Sequence, residues 1–407
     1  MTHVLYVSYD GLLEPLGESQ VVNYVERLAT EHGITLLSFE KAEDLADSAR
    51  VSAMTRRLGA HDIAWLRLRY HKRPAVLSTA LDIAWGALRA RAVCRRRSVR
   101  IIHARGYVSS LIALAARGAS RAAFLFDMRG FWIDEKVEAG HWRAGGLLYR
   151  VAKWWEARFF AGADAVVVLT QAGVRALPEL GYDVPPSVPI KVIPTCVDLE
   201  RFRPLGRDAE LVERLGLTGA RVVGCVGTIS NWYMRAEMLR YLALVARSLP
   251  HARVLMVTRE DHEALRRDAV AAGIPSEQLV LVSAPFEDMP RFIRLFDVGI
   301  FFIRPVLSKR ASAATKLAEF LASGVPVVIN DGVGDSGSIV REGRVGLVLD
   351  SLSPVSFHAS IGALQAMLAD DGMWERCRDT ARRLFDVESG VVEYRNLYDR
   401  LTVGEHP

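Results

Sequence analysis

Residues 308–328 read SKRASAATKLAEFLASGVPVV and predict a loop, a helix and a buried strand in direct succession. Ser312 has the side chain of an N-cap, and the apolar residues after it recur at helical spacing. Gly324 and then Pro326 end the helix before a run of β-branched residues. A helix that leads straight into a buried strand is half of a strand–helix–strand unit, from which parallel sheets are built.

The same alternation of short apolar runs and longer helical patterns covers most of the chain. The first predicted strands lie at residues 3–9, 34–39, 63–67, 101–104, 123–126, 165–169 and 191–193. A second series starts at Val222 and continues at residues 254–258, 280–282, 298–302, 327–330 and 346–349. Two such series in a chain of 407 residues predict an α/β fold with two Rossmann-like domains, each built on a parallel sheet.

Prolines concentrate around the end of the first series. They lie at residues 185, 186, 189, 194 and 204. Stiff, non-helical backbone at these positions suits a connection between domains. We therefore assign residues 1–204 to an N-terminal domain and residues 205–375 to a C-terminal domain. Residues 376–407 are expected to form a helical segment that can cross back to the N-terminal domain.

The composition is that of a globular protein, with 50% hydrophobic residues. The four cysteines form no Cys-x-x-Cys pair and no zinc-ligand cluster, which favours a reducing compartment. The first residues enter a strand pattern rather than an export signal, and no apolar run reaches the ~20 residues that span a bilayer. We expect a cytoplasmic protein, either soluble or peripheral at the inner face of the membrane.

Positive charge is concentrated in the first half of the chain. Residues 50–160 contain 22 Lys or Arg against 7 Asp or Glu, whereas the whole chain has a net charge of +5. One cluster comprises Arg89, Arg91, Arg95, Arg96, Arg97 and Arg100. This polarity favours an anionic partner, such as a phosphorylated substrate, anionic lipid head groups or nucleic acid. The alternative is a set of solvated helix faces without a partner.

The helix predicted after Ser312 begins with small residues, which leave its first backbone N–H groups accessible to a diphosphate. Lys316 adds a full positive charge within the first turn. Glu319 lies on the same side of the helix and can accept hydrogen bonds from two vicinal ribose hydroxyls. We predict nucleotide binding by Ser312, Thr315, Lys316 and Glu319. The alternative is an ordinary capped helix with a surface Lys–Glu pair.

Residues 308–328 also resemble the donor-binding motif of the family 4 retaining glycosyltransferases, in which a Glu heads a ribose-binding helix followed by a Gly-x-Pro-Val turn. Residues 10–21 are similar to the first strand–helix loop of a bacterial polysaccharide-biosynthesis branch of that family. Residues 127–135 and 162–170 look like its middle motifs, and residues 193–202 resemble the stretch that closes its N-terminal domain. The motifs occur in the family's order.

The resemblance implies the GT-B architecture, in which two Rossmann-like domains face a central cleft. It implies transfer of a sugar from a nucleoside-diphosphate sugar to a glycan, lipid-linked or small-molecule acceptor, with retention of configuration, in surface polysaccharide or glycoconjugate biosynthesis. We expect no metal and no cofactor beyond the nucleotide-sugar co-substrate. The chain has no Asp-x-Asp, the metal–diphosphate motif of the other main glycosyltransferase fold.

Two departures from the family's pattern concern the donor. The family's motif is Glu-x7-Glu, and eight positions before Glu319 this chain has Ala311. The role of the earlier Glu, near the donor sugar, is therefore absent or moved. After Gly227 the family often places an Arg and then a Lys for the diphosphate. Here the sequence runs TISNWYM to Arg235, which is the candidate for that role.

Gly17 is expected in a loop between the first strand and a helix that begins near Ser19. Without a side chain, it lets the backbone approach a donor phosphate or sugar at the carboxyl edge of the sheet. The alternative is a plain turn residue. Glu18 beside it and Trp132, in the first middle motif, are candidates for contacts with the acceptor or sugar.

His103 and Arg105 lie at the end of one predicted strand, and Asp127 and Arg129 at the end of another. The carboxyl ends of parallel strands share one edge of the sheet, so these four side chains are expected to cluster there. Asp127 and Arg129 are the catalytic candidates, because Asp127 can orient or deprotonate an acceptor hydroxyl. Arg105 and His103 are candidates for acceptor or sugar binding. The alternative is a structural Asp–Arg pair.

Aromatic and apolar residues alternate with basic ones between Trp142 and Phe160. Leu147, Val151 and Trp154 keep helical spacing, and the segment leads into the strand near residue 165. Core packing is the interpretation we favour for most of this stripe. A helix lying in the membrane interface, in contact with the inner leaflet, is the alternative.

Two other functions fit the same architecture. A sugar-nucleotide 2-epimerase also holds a nucleotide, but it needs acid and base carboxylates around the sugar, and Ala311 weakens that case. A non-catalytic nucleotide-sugar-binding homologue is compatible with Ala311 and with the altered Gly227 loop. Nucleic acid is not expected as a partner, because the basic region contains no recognised nucleic-acid-binding motif.

Overall fold

The computed structural model describes residues 2–403, and over these residues the chain divides into two compact units. The first unit comprises the residues up to Pro194 and those from Val387 onward, and the second comprises Thr195–Asp386. Each unit is built on one parallel sheet with helices between its strands. The predicted α/β fold with two Rossmann-like domains is confirmed.

The strands of the first unit carry the labels β1 to β7. They are β1 (His3–Ser8), β2 (Gly33–Glu40), β3 (Ala64–Arg69), β4 (Ile101–Arg105), β5 (Ala123–Asp127), β6 (Ala165–Val168) and β7 (Ile190–Val192). They pair in the order β3-β2-β1-β4-β5-β6-β7. This order reverses between β1 and β4, so the carboxyl ends of these two strands flank the crevice in which open α/β sheets bind ligands.

The helices of the first unit connect these strands. They are α1 (Pro15–Gly17), a π-helical turn (Glu18–Val22), α2 (Asn23–Leu28), α3 (Ala42–Ala46), α4 (Ser48–Gly59), α5 (Ala75–Arg96), α6 (Tyr107–Arg117), α7 (Trp132–Glu138), α8 (Leu147–Gly162) and α9 (Gln171–Glu179). The central strands β4 and β6 are buried at every residue, because helices cover both faces of a parallel sheet.

The second unit has a sheet of the same kind. Its strands are β8 (Arg221–Val226), β9 (Ala252–Val257), β10 (Leu279–Val282), β11 (Val298–Phe301), β12 (Val327–Asn330) and β13 (Gly346–Leu349). They pair in the order β10-β9-β8-β11-β12-β13, so the reversal lies between β8 and β11. Thus all the strands predicted from the sequence are present, with ends shifted by a few residues.

The second unit's helices complete its layers. They are α10 (Ala209–Arg214), α11 (Arg235–Ser248), α12 (His262–Ala271), α13 (Met289–Ile293), α14 (Thr315–Ala322), α15 (Ser336–Gly343), α16 (Pro354–Leu368) and α17 (Met373–Phe385), with 3-10 turns at Ser276–Gln278, Phe286–Asp288 and Leu307–Ala311. Phe320 of α14 is fully buried, and a Cβ added at Gly299 of β11 would lie 2.7 Å from its ring. This close packing fixes α14 against the sheet.

The division between the units lies at Pro194, earlier in the chain than the predicted boundary at residue 204. The segment that follows belongs to the second unit, because Val197 donates its backbone N–H to Phe385 O at 2.8 Å and Phe202 lies in the second unit's core. Of the prolines that suggested the boundary, Pro204 thus lies in the second unit.

The last helix, α18 (Val387–Val403), groups with the first unit, whereas α17 groups with the second. The crossing to the first unit therefore begins at Val387 and not at residue 376. Tyr394 packs edge-on against Tyr24 with ring centroids 5.4 Å apart, and Tyr398 packs in the same way against His32 at 5.2 Å. These aromatic contacts anchor α18 on the first unit.

Two negative findings apply to the described part of the chain. None of its helices is both long enough and apolar enough to cross a bilayer. It also contains no group of three or more His, Cys, Asp or Glu side chains placed to hold a metal ion.

The prediction that Gly17 lies in a loop is wrong, because Gly17 is the last residue of α1. Helical structure begins at Pro15 rather than near Ser19, since a proline is well suited to the first position of a helix. Gly17 has helical backbone angles, with φ −62°. A Cβ built on it would lie 1.9 Å from the carbonyl oxygen of Gly11. The close approach at Gly17 is thus to the chain's own backbone.

Gly17→Ala is expected to lower the thermal midpoint of the ligand-free protein by several degrees. The added methyl group cannot fit against the Gly11 carbonyl, and overpacking of this kind costs roughly 1–3 kcal/mol. Gly59→Ala is the matched control, because Gly59 also lies in a helix and no atom lies within 4 Å of its added Cβ. Differential scanning calorimetry checks the pair. Equal midpoints for Gly17→Ala and wild type would show that α1 can shift without loss of stability.

Candidate functional site

The loop after β8 lies at the switch point of the second sheet. It starts at Gly227, whose φ of 73° is left-handed and therefore favours glycine. Glu260 holds the loop in place, since its Oε1 accepts the backbone N–H groups of Ile229 and Ser230 at 2.9 and 3.0 Å. Burial acts to raise the pKa of Glu260, but these hydrogen bonds outweigh it and the pKa is lowered. The loop is thus held by an ionised carboxylate.

Lys316 lies in the first turn of α14 and is buried, with 8% of its surface exposed. Its Nζ donates to the carbonyl oxygen of Thr228 at 2.6 Å and lies 3.6 Å from the centre of the Tyr233 ring. Burial lowers the pKa of Lys316 to about 8. The ammonium group therefore lies beside the Gly227 loop, in an environment that destabilises its charge.

Glu319 lies one turn further along α14 and is also buried, with 7% exposed. Within residues 2–403 its carboxyl makes no hydrogen bond and no ion pair. Burial raises its pKa to about 7, although the positive charges of Lys316 and Arg201 oppose the shift. A buried carboxyl without a polar partner is costly, so its retention points to a ligand.

The prediction that Ser312 caps this helix is wrong. Ser312 ends the 3-10 turn Leu307–Ala311, and its Oγ donates to Ser308 O at 3.4 Å. Helix α14 starts at Thr315, with Ala314 in the N-cap position and no side-chain cap among the described residues. The 3-10 turn extends the loop beyond Ser312, which moves the helix start. Thr315 is therefore the first helical residue, and the uncapped N-terminus suits an anion.

Arg235, the candidate for the diphosphate, forms ion pairs with two carboxylates. It starts α11, and its guanidinium lies 2.6 Å from Asp268 and 3.9 Å from Glu260. Both partners are distant in sequence, which is why the sequence did not reveal them. These pairs stabilise the loop and reduce the charge that Arg235 presents to a ligand.

Sequence reasoning missed a second buried lysine near α14. Lys309 is 7% exposed, and its Nζ lies 3.9 Å from the centre of the Trp232 ring. It comes two residues before Ala311, which is itself fully buried. The only signal in the sequence is the Lys309–Arg310 pair in the loop next to the departure from the family's motif. Lys309 is therefore an additional candidate for the donor site.

Asp127 and its neighbours cluster at the carboxyl edge of the first sheet, as predicted. Asp127 is 1% exposed, and both of its carboxylate oxygens accept hydrogen bonds. Arg129 donates to Oδ1 at 3.3 Å, while His103 Nε2 and Tyr394 Oη lie 3.3 and 3.1 Å from Oδ2. His103 Nδ1 lies 2.7 Å from the hydroxyl of Tyr398. Two tyrosines of α18, which no motif indicated, thus complete the cluster.

Electrostatics in this cluster favour the structural interpretation of Asp127. Burial acts to raise its pKa, but the charges of Arg129 and Arg105 and the hydrogen bond from His103 hold the pKa well below its usual range. Burial lowers the pKa of His103, so its ring is neutral near neutral pH. A carboxylate this strongly stabilised is a weak base. Its position suits holding Arg129 rather than accepting a proton.

The other first-unit candidates also have partners within the unit. Arg105 forms an ion pair with Asp10, which joins the carboxyl ends of β4 and β1 at the switch point. Glu18 accepts from Arg57 at 2.9 Å. Trp132 starts α7, with its ring 5.3 Å from that of Trp142. Arg105 thus lies with the Asp127 cluster at the edge, whereas Glu18 and Trp132 are tied to other elements.

Comparison with known proteins agrees with this geometry. A family model described as "Glycosyl transferase 4-like domain" matches residues 18–196, and one described as "Glycosyl transferases group 1" matches residues 220–366. With the two Rossmann-like units, these matches define a glycosyltransferase. The chain belongs to glycosyltransferase family 4, whose members have the GT-B architecture.

The D-inositol 3-phosphate glycosyltransferase of Nocardia farcinica is 32% identical over 219 residues, which cover 51% of this chain and 46% of that protein. The chain thus spans about half the length of the curated relatives it matches. Sucrose-phosphate synthase from Thermosynechococcus elongatus superposes over all of both chains with a TM-score of 0.73 and 16% identity. Anabaena HepE in complex with UDP and glucose superposes with a TM-score of 0.72 and 16% identity, over 98% of this chain and all of that one. The two structures share the fold.

The raised pKa of Glu319 predicts a pH-dependent stability. Its neutral form is favoured in the folded state, so the stability it contributes is fully present below pH 4.5 and is lost as the pH rises through about 7. Glu319→Gln keeps the neutral form. We therefore expect the thermal midpoint of Glu319→Gln to rise relative to wild type across this window, as measured by calorimetry without ligand.

Glu342→Gln, at an exposed position of α15 in the same unit, is the control for the same chemical change at a side chain that is not buried. The lowered pKa of Lys316 acts in a separate window, between about 8 and 10.5. A midpoint difference for Glu319→Gln that stays constant across the lower window would contradict the assigned burial of Glu319.

Proposed function

We propose that the chain transfers a sugar from a nucleoside-diphosphate sugar, bound by the second unit, to an acceptor bound by the first. The observation that carries this proposal is the buried pair of Lys316 and Glu319 at the start of α14. No ion pair joins the two over the described residues, so neither charge is compensated by the other. Their place beside the Gly227 loop, at the switch point of the sheet, suits a nucleotide.

The donor site follows from the chemistry of these side chains. A carboxylate that accepts two vicinal hydroxyls matches a ribose, and a desolvated ammonium beside an uncapped helix start matches a diphosphate. In the structure Lys316 donates to the Thr228 carbonyl oxygen. A bound diphosphate would take the place of this carbonyl as the partner of Lys316. Lys309 lies in the turn before α14 and adds positive charge. UDP in the solved HepE structure supports testing uridine nucleotides first.

The acceptor carries a phosphate in this proposal, whether it is a small molecule, a lipid-linked sugar or a glycan precursor. Two arginines at the edge of the first sheet support this class, since Arg105 and Arg129 are held in position there by Asp10 and Asp127. The curated relatives are named for transfer to D-inositol 3-phosphate, which is also a phosphorylated acceptor. An arginine held in place by a carboxylate can bind phosphate through its remaining N–H groups.

The reaction is proposed to proceed with retention. The bond between the anomeric carbon and the diphosphate breaks, and the acceptor oxygen forms its bond on the same face while its proton passes to the leaving diphosphate. Lys316 and the N–H groups at the start of α14 stabilise the charge that develops there. This course uses no protein base and no metal, so Asp127 acts as a positioning residue for Arg129.

A 2-epimerase is the second candidate, and the family models favour transfer over it. An epimerase converts the donor without any acceptor, whereas a transferase forms a new glycoside only when the acceptor is present. Incubation with nucleotide sugar alone, followed by chromatography of the sugar nucleotide, separates the two activities. A non-catalytic homologue would leave the donor unchanged under both conditions.

Lys316→Met and Glu319→Ala are each expected to weaken binding of UDP and of a UDP-sugar by roughly 10–100-fold, the range for losing a hydrogen bond to a charged group. Lys316→Met keeps the apolar stem that packs near Tyr233. Isothermal titration calorimetry measures the affinity. Arg240→Ala is the control, because Arg240 is exposed in the same unit and pairs only with Glu237 over the described residues. Unchanged nucleotide affinity in both Lys316→Met and Glu319→Ala would show that the donor site does not lie at the start of α14.

Asp127→Asn is expected to lower kcat while leaving UDP affinity unchanged, because it loosens Arg129. It should also lower the thermal midpoint, since breaking a buried pair costs roughly 3 kcal/mol or more. The pH profile of kcat/KM near neutrality should keep its shape, because Asp127 is not a base in this scheme. Asp62→Asn, at an exposed position, is the control. Wild-type kcat in Asp127→Asn, or loss of a titration step from its pH profile, would contradict the positioning role.

A further inference from the structure

Helix α5 has an outward face that no other part of the described chain covers. The exposed residues of this helix between positions 76 and 88 are all apolar: Val76, Leu77, Ala80, Leu81, Ala84, Trp85 and Leu88. Leu77 is 66% exposed and Trp85 is 55% exposed. At 1.5 Å per residue, this apolar face is about 18 Å long. A continuous patch of this kind marks a binding surface.

The opposite face of α5 fixes the helix in this orientation. Gly86 packs so closely that an added Cβ would lie 2.6 Å from Ile112 and 3.0 Å from Phe39. Asp82 is buried and accepts hydrogen bonds from Tyr9 Oη at 2.9 Å and from the His71 backbone N–H at 3.1 Å. A rotation of α5 that buried Trp85 would expose Gly86 and break these bonds. The outward apolar face is therefore built into the fold.

Basic residues flank the apolar face at both ends. Lys72 and Arg73 precede it and are exposed. Between Leu88 and position 97 the exposed basic residues are Arg89, Arg91, Arg95, Arg96 and Arg97. The single acidic residue between positions 71 and 97 is Asp82, which points into the unit. The exposed surface of this segment is thus apolar in its middle and positive at both ends.

A second apolar stripe lies on α8, in the same helical layer. Arg91 of α5 donates to Ala115 O of α6 at 2.7 Å, and Arg117 of α6 donates to Gly162 O of α8 at 2.9 Å. The three helices therefore pack side by side on one face of the sheet. The large apolar residues exposed on α8 are Leu147, Leu148, Val151 and Trp154.

The stripe on α8 corrects part of the sequence interpretation. Phe159 and Phe160 are core residues, as predicted, but the exposed half of the stripe is not. The guanidinium of Arg158 lies 4.6 Å from the Trp154 ring, so this stripe too combines apolar and positive groups. The α8 surface therefore has the same character as the α5 face.

We propose that the α5 face binds the surface of a bilayer that contains anionic phospholipid. An amphipathic helix with Leu and Trp on one side and Lys or Arg around it lies in the interface, with its apolar side among the acyl chains. The positive ends attract anionic head groups, each basic residue contributing about fivefold in binding. A surface of uniform negative charge is complementary to this face, whereas protein partners usually present charges of both signs at the rim. The stripe on α8 extends the contact.

The α5 face is built from residues of the first unit and the proposed donor site from residues of the second, so the two can be tested with separate variants. The purified chain is floated with vesicles of phosphatidylcholine alone and of phosphatidylcholine mixed with phosphatidylglycerol. We expect binding to the mixed vesicles, weaker binding to the neutral ones, and release from the mixed vesicles as salt is raised. The double variant Leu81→Glu/Trp85→Glu should lose binding to both. Arg95→Glu/Arg96→Glu should bind mixed vesicles at least tenfold more weakly.

Val355→Glu is the control, because Val355 is 80% exposed on the second unit and its variant should bind vesicles like wild type. The thermal midpoint and the UDP affinity of every variant should match those of wild type. A failure of this proposal can then be distinguished from a failure of the donor-site proposal. Equal vesicle binding by Leu81→Glu/Trp85→Glu and wild type would overturn the proposal. It would also be overturned if wild type did not bind mixed vesicles, or if the lipid-free chain were a dimer that this variant dissociates.

Discussion

Parallel sheets determine where polar chemistry can lie in this protein. Such a sheet is covered by helices on both faces, so its central strands are mostly apolar and the functional charged side chains collect at the carboxyl ends. In the first unit this edge holds Asp127 and Arg105, and in the second it holds the Gly227 loop and the start of α14. Each group lies at or next to the switch point of its own sheet.

The charged side chains at the two edges differ in whether they have ion-pair partners, and we assign the two edges different roles on this basis. In the first unit, Asp127 and Arg105 have ion-pair partners, so the charged side chains at this edge are held in fixed positions. In the second unit, Lys316 and Glu319 are taken out of water without pairing with each other, over the residues described. Burial shifts both pKa values towards neutrality. Within the part of the chain that the structure describes, Glu319 lacks a polar partner and Lys316 has only a backbone carbonyl and an aromatic ring, so a ligand that supplies charged or hydroxyl partners stabilises both.

The sequence predicted the sheets well, because a run of β-branched residues indicates a buried strand without information from elsewhere in the chain. Lys316 and Glu319 could be found for the same reason, because helical spacing is also a local pattern. It misplaced features that depend on distant residues. Arg235 pairs with Asp268 of another helix, and the start of α14 depends on the path of the loop before it. The tyrosines of α18 reach Asp127 from the far end of the chain. The outward face of α5 was equally hidden, since a pattern of apolar residues does not tell which side is covered.

The central claim is that the start of α14 binds a nucleoside diphosphate through Lys316 and Glu319. A crystal structure of the protein with UDP tests it most directly. We predict the Glu319 carboxylate within about 3 Å of both ribose hydroxyls and the Lys316 ammonium in contact with the diphosphate, next to the first N–H groups of the helix. A nucleotide bound elsewhere, with Glu319 still lacking a polar partner, would contradict the account.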